Sequence, residues 1–151
     1  MQTRRETLKH SAIVAGLLAS VGLFPQPAMA FNQAAFEATH VMDAIKALGA
    51  SAPVESKDVI LGAPEIAENG AVVPLSASTA LSGVKQMLFM VEKNPAVLVA
   101  VFNVTDSVEP NFAARAKMAQ SSDVYAVAIM GDGRVLFAKK EIKVTLGGCG
   151  G

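Results

Sequence analysis

Chemistry in this chain concentrates on one residue, the cysteine of Gly147-Gly148-Cys149-Gly150-Gly151. It is the only cysteine among 151 residues, so no disulfide can form within one chain. Four glycines give the thiol no apolar neighbours and a large conformational freedom. They also add no bulk, so a narrow active-site channel can admit the segment. Extended, five residues span roughly 17 Å, and a thiol three residues past Leu146 stands on the order of 10 Å from whatever holds that leucine. This pattern fits a presented thiol, loaded with a group at one enzyme and unloaded at another, as swinging cofactor arms are. A free thiol titrates near 8.5, so little of it is thiolate at pH 7. No cation or histidine lies in the segment, and the carboxylate of Gly151 disfavours the thiolate further. Activation is therefore expected to come from partner enzymes.

Other chemistries find few residues. Zinc takes four ligands, whereas the chain beyond residue 30 offers Cys149 and His40, far apart in sequence. No calcium-loop spacing of carboxylates occurs. His40 falls at core-facing helical spacing and is left out of the site. Met42, Met87, Met90, Met118 and Met130 are scattered rather than grouped with His or Cys, which suits core packing or a plastic interface.

The first thirty residues carry the marks of an export signal rather than of fold. Arg4-Arg5 opens a polar stretch, an apolar run covers 11–24, and Ala28-Met29-Ala30 supplies a cleavage pattern. That run is shorter than the roughly 20 residues a membrane-spanning helix needs. The paired arginines fit the twin-arginine route, with the periplasm as destination and no membrane anchor after cleavage. Cleavage after Ala30 would remove Arg4, Arg5, Lys9 and Glu6, leaving 10 basic and 12 acidic residues in 121. Nothing in that balance suggests nucleic acid as a partner. An odd cysteine in an exported chain points to a reactive thiol or to bonding between chains.

The elements that must position the thiol are mainly strands. Residues 32–48 read as one helix, capped by Asn32, ended by Gly49, with Phe36, His40, Val41, Ala44, Ile45 and Leu48 on one face. Beyond it, 59–61, 84–91, 96–104, 112–120, 124–130, 135–138 and 139–146 read as strands. Asn69-Gly70 predicts a hairpin between 64–67 and 71–76. The segments 92–95 and Asp132-Gly133 predict turns. Short strands at regular spacing argue for a β-sandwich, with the helix outside it, covering an edge or docking on a partner. Strands apolar on both faces suggest more hydrophobic surface than a small sandwich buries alone, which an obligate partner would cover. Arg115, Lys117, Lys139, Lys140 and Lys143 read as a solvated strand face, or as cations able to receive an anionic adduct. The domain is expected over 31–146, with the cysteine arm over 147–151.

The terminal Gly-Gly-Cys-Gly-Gly, the Lys-Val-Thr-Leu before it, the segment from Ala63-Pro64-Glu65 through Asn69-Gly70 to Val73-Pro74, and Glu92-Lys93-Asn94-Pro95 together resemble the SoxY family. That family supplies the carrier subunit of thiosulfate oxidation. The resemblance implies an immunoglobulin-like antiparallel sandwich with one N-terminal helix and a flexible arm of Gly147, Gly148, Cys149, Gly150 and Gly151. It implies a non-enzymatic carrier with no intrinsic cofactor, holding sulfur intermediates covalently on Cys149. It also implies a heterodimer with SoxZ and transient encounters with the haem protein SoxAX, the manganese hydrolase SoxB and, in some systems, SoxCD. Two other classes compete. A thiol-dependent sulfurtransferase would need held geometry that a glycine-rich tail does not give. An exported interaction module would use Cys149 only for disulfides between chains.

Overall fold

The computed structural model describes residues 32–146, a helix pair followed by nine strands in two sheets. The helix expected over 32–48 is in fact two helices, α1 (Gln33–Glu37) and α2 (Val41–Ala47). Asn32 does cap the first, its Oδ1 accepting from the Ala35 amide at 3.1 Å. The break falls where Ala38 turns extended, and the Ala38 carbonyl accepts from the Val97 amide at 3.1 Å instead of continuing a helix. Thr39 and His40, both weak helix formers, offer little resistance to this tertiary bond. His40 thereby leaves the core-facing stripe and becomes the exposed N-cap of α2. Gly49 ends α2 as expected: at φ 75 it closes a Schellman turn, with Gly49 and Ala50 donating to the carbonyls of Lys46 and Ile45. The Asn32 amide group reaches back to the Ala47 carbonyl at 2.6 Å and ties the two helices together.

The strands are β1 (Val54–Glu55), β2 (Val59–Gly62), β3 (Ile66–Asn69), β4 (Val73–Thr79), β5 (Val84–Val91), β6 (Leu98–Asn103), β7 (Asn111–Ala116), β8 (Ser122–Met130) and β9 (Val135–Leu146). The larger sheet runs β1-β9-β8-β5-β6, with β3 also on β9; the smaller runs β2-β4-β7. The sheets are not wholly antiparallel, since β1 and β3 both pair parallel with β9. The two segments expected at 135–138 and 139–146 form one continuous twelve-residue strand.

Alternation builds the core between the sheets. Val73, Leu75 and Ala77 of β4 and Met87, Phe89 and Val91 of β5 point inward with Val124, Ala126 and Ile142. Phe102 of β6 stacks on Phe112 of β7 at 4.6 Å and meets Phe89 edge-on at 6.1 Å, joining the two sheets. The opposite faces of β5 and β8 are apolar too, and the chain covers part of that surface itself. Ala35, Ala44 and Ile45 of the helices form a second core with Leu88, Met90, Val127 and Val135. Met87, Met90, Met118 and Met130 are buried, as core methionines should be, whereas Met42 is exposed on α2.

The hairpin expected at Asn69-Gly70 does not form. β3 joins the larger sheet and β4 lies between β2 and β7 in the smaller one. The turn instead carries the chain from one sheet to the other. Asn69 Oδ1 accepts from the Ala71 amide at 2.8 Å, a side-chain-closed turn that asks nothing of strand pairing.

Candidate functional site

Cys149 with Gly147, Gly148, Gly150 and Gly151 lies outside the described residues, as do Arg4, Arg5 and Ala30. What the structure gives is the platform from which the cysteine segment departs. β8 pairs with β9 from Ile129↔Val135 to Ser122↔Ile142 and goes no further. The last four residues of β9 then rest on β3, in the register Ile66↔Lys143, Ala67↔Val144 and Asn69↔Leu146. The Lys143 amide donates to the Glu65 carbonyl at 2.9 Å, and the Val144 amide to Ser121 Oγ at 2.9 Å. Thr145 Oγ1 donates to the Glu68 carbonyl at 3.1 Å, and the Gly70 amide to the Leu146 carbonyl at 2.8 Å. Leu146 is 70% exposed, so the chain is delivered to the surface.

His40 is far from this end. It lines a notch of about 440 Å³ with Met42, Pro53, Glu92, Tyr125 and Phe137. The lining runs along β9 from Phe137 to the level of Glu141, since the Glu92 amide donates to the carbonyl of Asp123, which faces Glu141, so the notch lies five to nine residues short of Leu146, roughly 17–30 Å at strand rise. The structure thus places His40 in this notch and not at the Leu146 end of β9. In the notch Tyr125 donates to Glu92 Oε2 at 3.3 Å. Partial burial first, then the Glu92 and Asp123 carboxylates, push its hydroxyl up to about 12.

The candidate cations are divided by the pleat. Lys139 lies 3.5 Å from Asp123. Lys140, on the other face and half-buried, donates to the Ala63 carbonyl at 2.9 Å and stands 4.0 Å from Glu65. The two do not share one solvated face, because neighbours on a strand point oppositely. Arg115 is exposed opposite Pro74. It borders an open groove of about 680 Å³ floored by the small residues Gly62, Pro74, Ser76 and Ala113. Among the described residues no group of three or more His, Cys, Asp or Glu could hold a metal ion, and no helix is long and apolar enough to cross a membrane.

The pairing of β3 with β9 is not legible in the sequence. The segment 63–70 marks the family resemblance, but its work in holding the end of β9 is visible only once the two are seen paired.

The family described as "Sulfur oxidation protein SoxY" matches residues 44–149, a span ending on Cys149. Among solved structures, the chain is similar to the sulfur carrier protein SoxY from Chlorobium limicola f thiosulfatophilum. The two are 34% identical with a TM-score of 0.65, over 72% of this chain and 98% of that one. It is also similar to a variant of the superoxide reductase (neelaredoxin) from Ignicoccus hospitalis, at 20% identity and a TM-score of 0.51. That match covers 57% of this chain and 78% of the other, and it is a likeness of fold alone. No curated protein matches the chain.

Proposed function

This chain belongs to the SoxY family and has a sulfur-carrier role, and from that premise we propose that it holds thiosulfate-derived intermediates on Cys149 in the periplasm and presents them to partner enzymes. The observation that carries this reading is the extent of the family match, which runs through the whole strand body and ends on the cysteine itself.

In the proposed cycle the Cys149 thiolate and thiosulfate are joined by loss of two electrons to the haem protein SoxAX. A sulfur–sulfur bond forms, giving Cys–S–S–SO3−. Water then attacks the terminal sulfonate at SoxB. Sulfate and two protons leave, and the persulfide Cys–S–S− remains for a further oxidation by SoxCD where that enzyme exists. This chain contributes no metal and no base to either step. Its contributions are an attachment atom, an arm without side-chain bulk, and a rigid body. That body is an immunoglobulin-like scaffold and pairs with SoxZ. The leading segment with Arg4-Arg5 directs export by the twin-arginine route, with cleavage after Ala30.

The test is intact-mass spectrometry of the protein from cells given thiosulfate, before and after reductant, beside Cys149→Ser. Reductant-labile additions of thiosulfate, sulfane sulfur or sulfonate, absent from the variant, are expected. A bare thiol, with thiosulfate oxidation indifferent to the substitution, would refute the reading.

A further inference from the structure

We infer that the Asn69-Gly70 turn is a positioning device that clamps the Leu146 end of β9, the point from which the chain continues to Cys149, and so limits the reach of the thiol. The inference rests on the carrier reading above, but its geometry lies wholly within the described residues. Past Ile142 the strand β9 has lost its pairing with β8, and β3 takes over as its ladder partner. β3 ends at Asn69, opposite Leu146. The next residue closes the anchor: the Gly70 amide donates to the Leu146 carbonyl at 2.8 Å, while the Gly70 carbonyl accepts from the Met118 amide at 2.7 Å. Gly70 is thus bonded on one side to the final residue of β9 and on the other to the segment following β7. Asn69 holds the turn in shape through its Oδ1 bond to the Ala71 amide. Thr145 Oγ1 adds a bond to the Glu68 carbonyl.

The consequence is a defined pivot. With Leu146 held, Cys149 lies three residues beyond the clamp, at most about 10 Å at full extension. With the clamp open, the nearest remaining holds among the described residues are those of Lys143 and Val144 to Glu65 and Ser121. Cys149 then lies five residues out, roughly 17 Å. At a partner site matched to the shorter reach, the effective concentration of the thiol falls about twofold, following the three-halves power of tether length.

The experiment uses the full chain and three variants: Asn69→Ala, Thr145→Val, and Asn69→Asp, which keeps the acceptor for Ala71. Amide exchange is read at Gly70, whose proton is in the bond, and at residues of the β8–β9 hairpin. A nitroxide on Cys149 reports how freely the segment tumbles. Asn69→Ala and Thr145→Val are each expected to speed exchange at Gly70 about fivefold, the worth of one net hydrogen bond. The nitroxide should tumble faster, the hairpin should be unchanged, and Asn69→Asp should restore both signals. An unchanged Gly70 amide overturns the inference. So does a change spread equally over the hairpin, which is what a merely structural turn would give. Neither signal needs a sulfur adduct, so their failure leaves the carrier reading standing, whereas absent adducts in the unaltered protein would sink that reading alone.

Discussion

Replacing Ile45 by alanine tests whether the helix pair covers the larger sheet in solution. Ile45 sits in α2 with no exposed surface, in the second core with Leu88, Met90, Val127 and Val135. The substitution removes three carbons, about 2.4 kcal/mol of transfer free energy at ~0.8 kcal/mol each. Incomplete collapse of the resulting cavity adds to this, placing the cost at about 3–4 kcal/mol, within the range seen for such truncations. Against a typical total of about 5–15 kcal/mol, that is a large fraction. With a urea slope of about 2 kcal/mol/M, the unfolding midpoint should fall by about 1.5–2 M while the slope stays constant. Met42→Ala on the same helix is the control. Met42 is 42% exposed, and its truncation should cost under about 1 kcal/mol. The comparison is made by urea denaturation followed by circular dichroism. An Ile45→Ala cost below about 1 kcal/mol would refute the reasoning. It would mean that α2 is not docked on its own sheet, leaving the apolar faces of β5 and β8 to be covered by another chain.

Two further outcomes follow from the site's surroundings. Tyr125 is the only tyrosine and there is no tryptophan, so its phenolate absorbance titrates it alone. It should ionise near 12 rather than 10, and Glu92→Gln should lower that value. Because the folded-state pKa is raised, the stabilisation is complete below about pH 10 and is lost as pH rises towards 12. After discounting for solvent screening it amounts to about 1 kcal/mol. An ordinary tyrosine titration would contradict both the partial burial and the contact with Glu92. For Cys149, the rate of alkylation against pH in the isolated protein should report a thiol pKa no lower than about 8.5. A midpoint well below neutrality would show that this chain activates its own sulfur.

Much of the strand body was legible because its signals are local. β5, β7 and β8 follow from alternation or unbroken apolar runs whose inward residues the folded chain does bury. Gly49 and Asp132-Gly133 turn where their chemistry says they should. What failed were readings that depend on contacts distant in sequence. The 32–48 helix is interrupted by a hydrogen bond from Val97, which lies five strands further along the chain. No local pattern within 32–48 announces that bond. Asn69-Gly70 carries the same dipeptide signal whether the strands on either side pair with each other or with different sheets.

By itself the sequence supplied the candidate chemistry: one cysteine, bracketed by four glycines. Composition and spacing suffice for that, because reactivity and lack of bulk are properties of the residues themselves. The tertiary structure alone decided that His40 sits in a notch with Glu92, Tyr125 and Phe137 rather than at the Leu146 end of β9, that the helices cover part of the second face of the sheet, and that β3 holds β9 to Leu146. Those are facts of pairing between distant segments, and only the folded chain chooses its pairs.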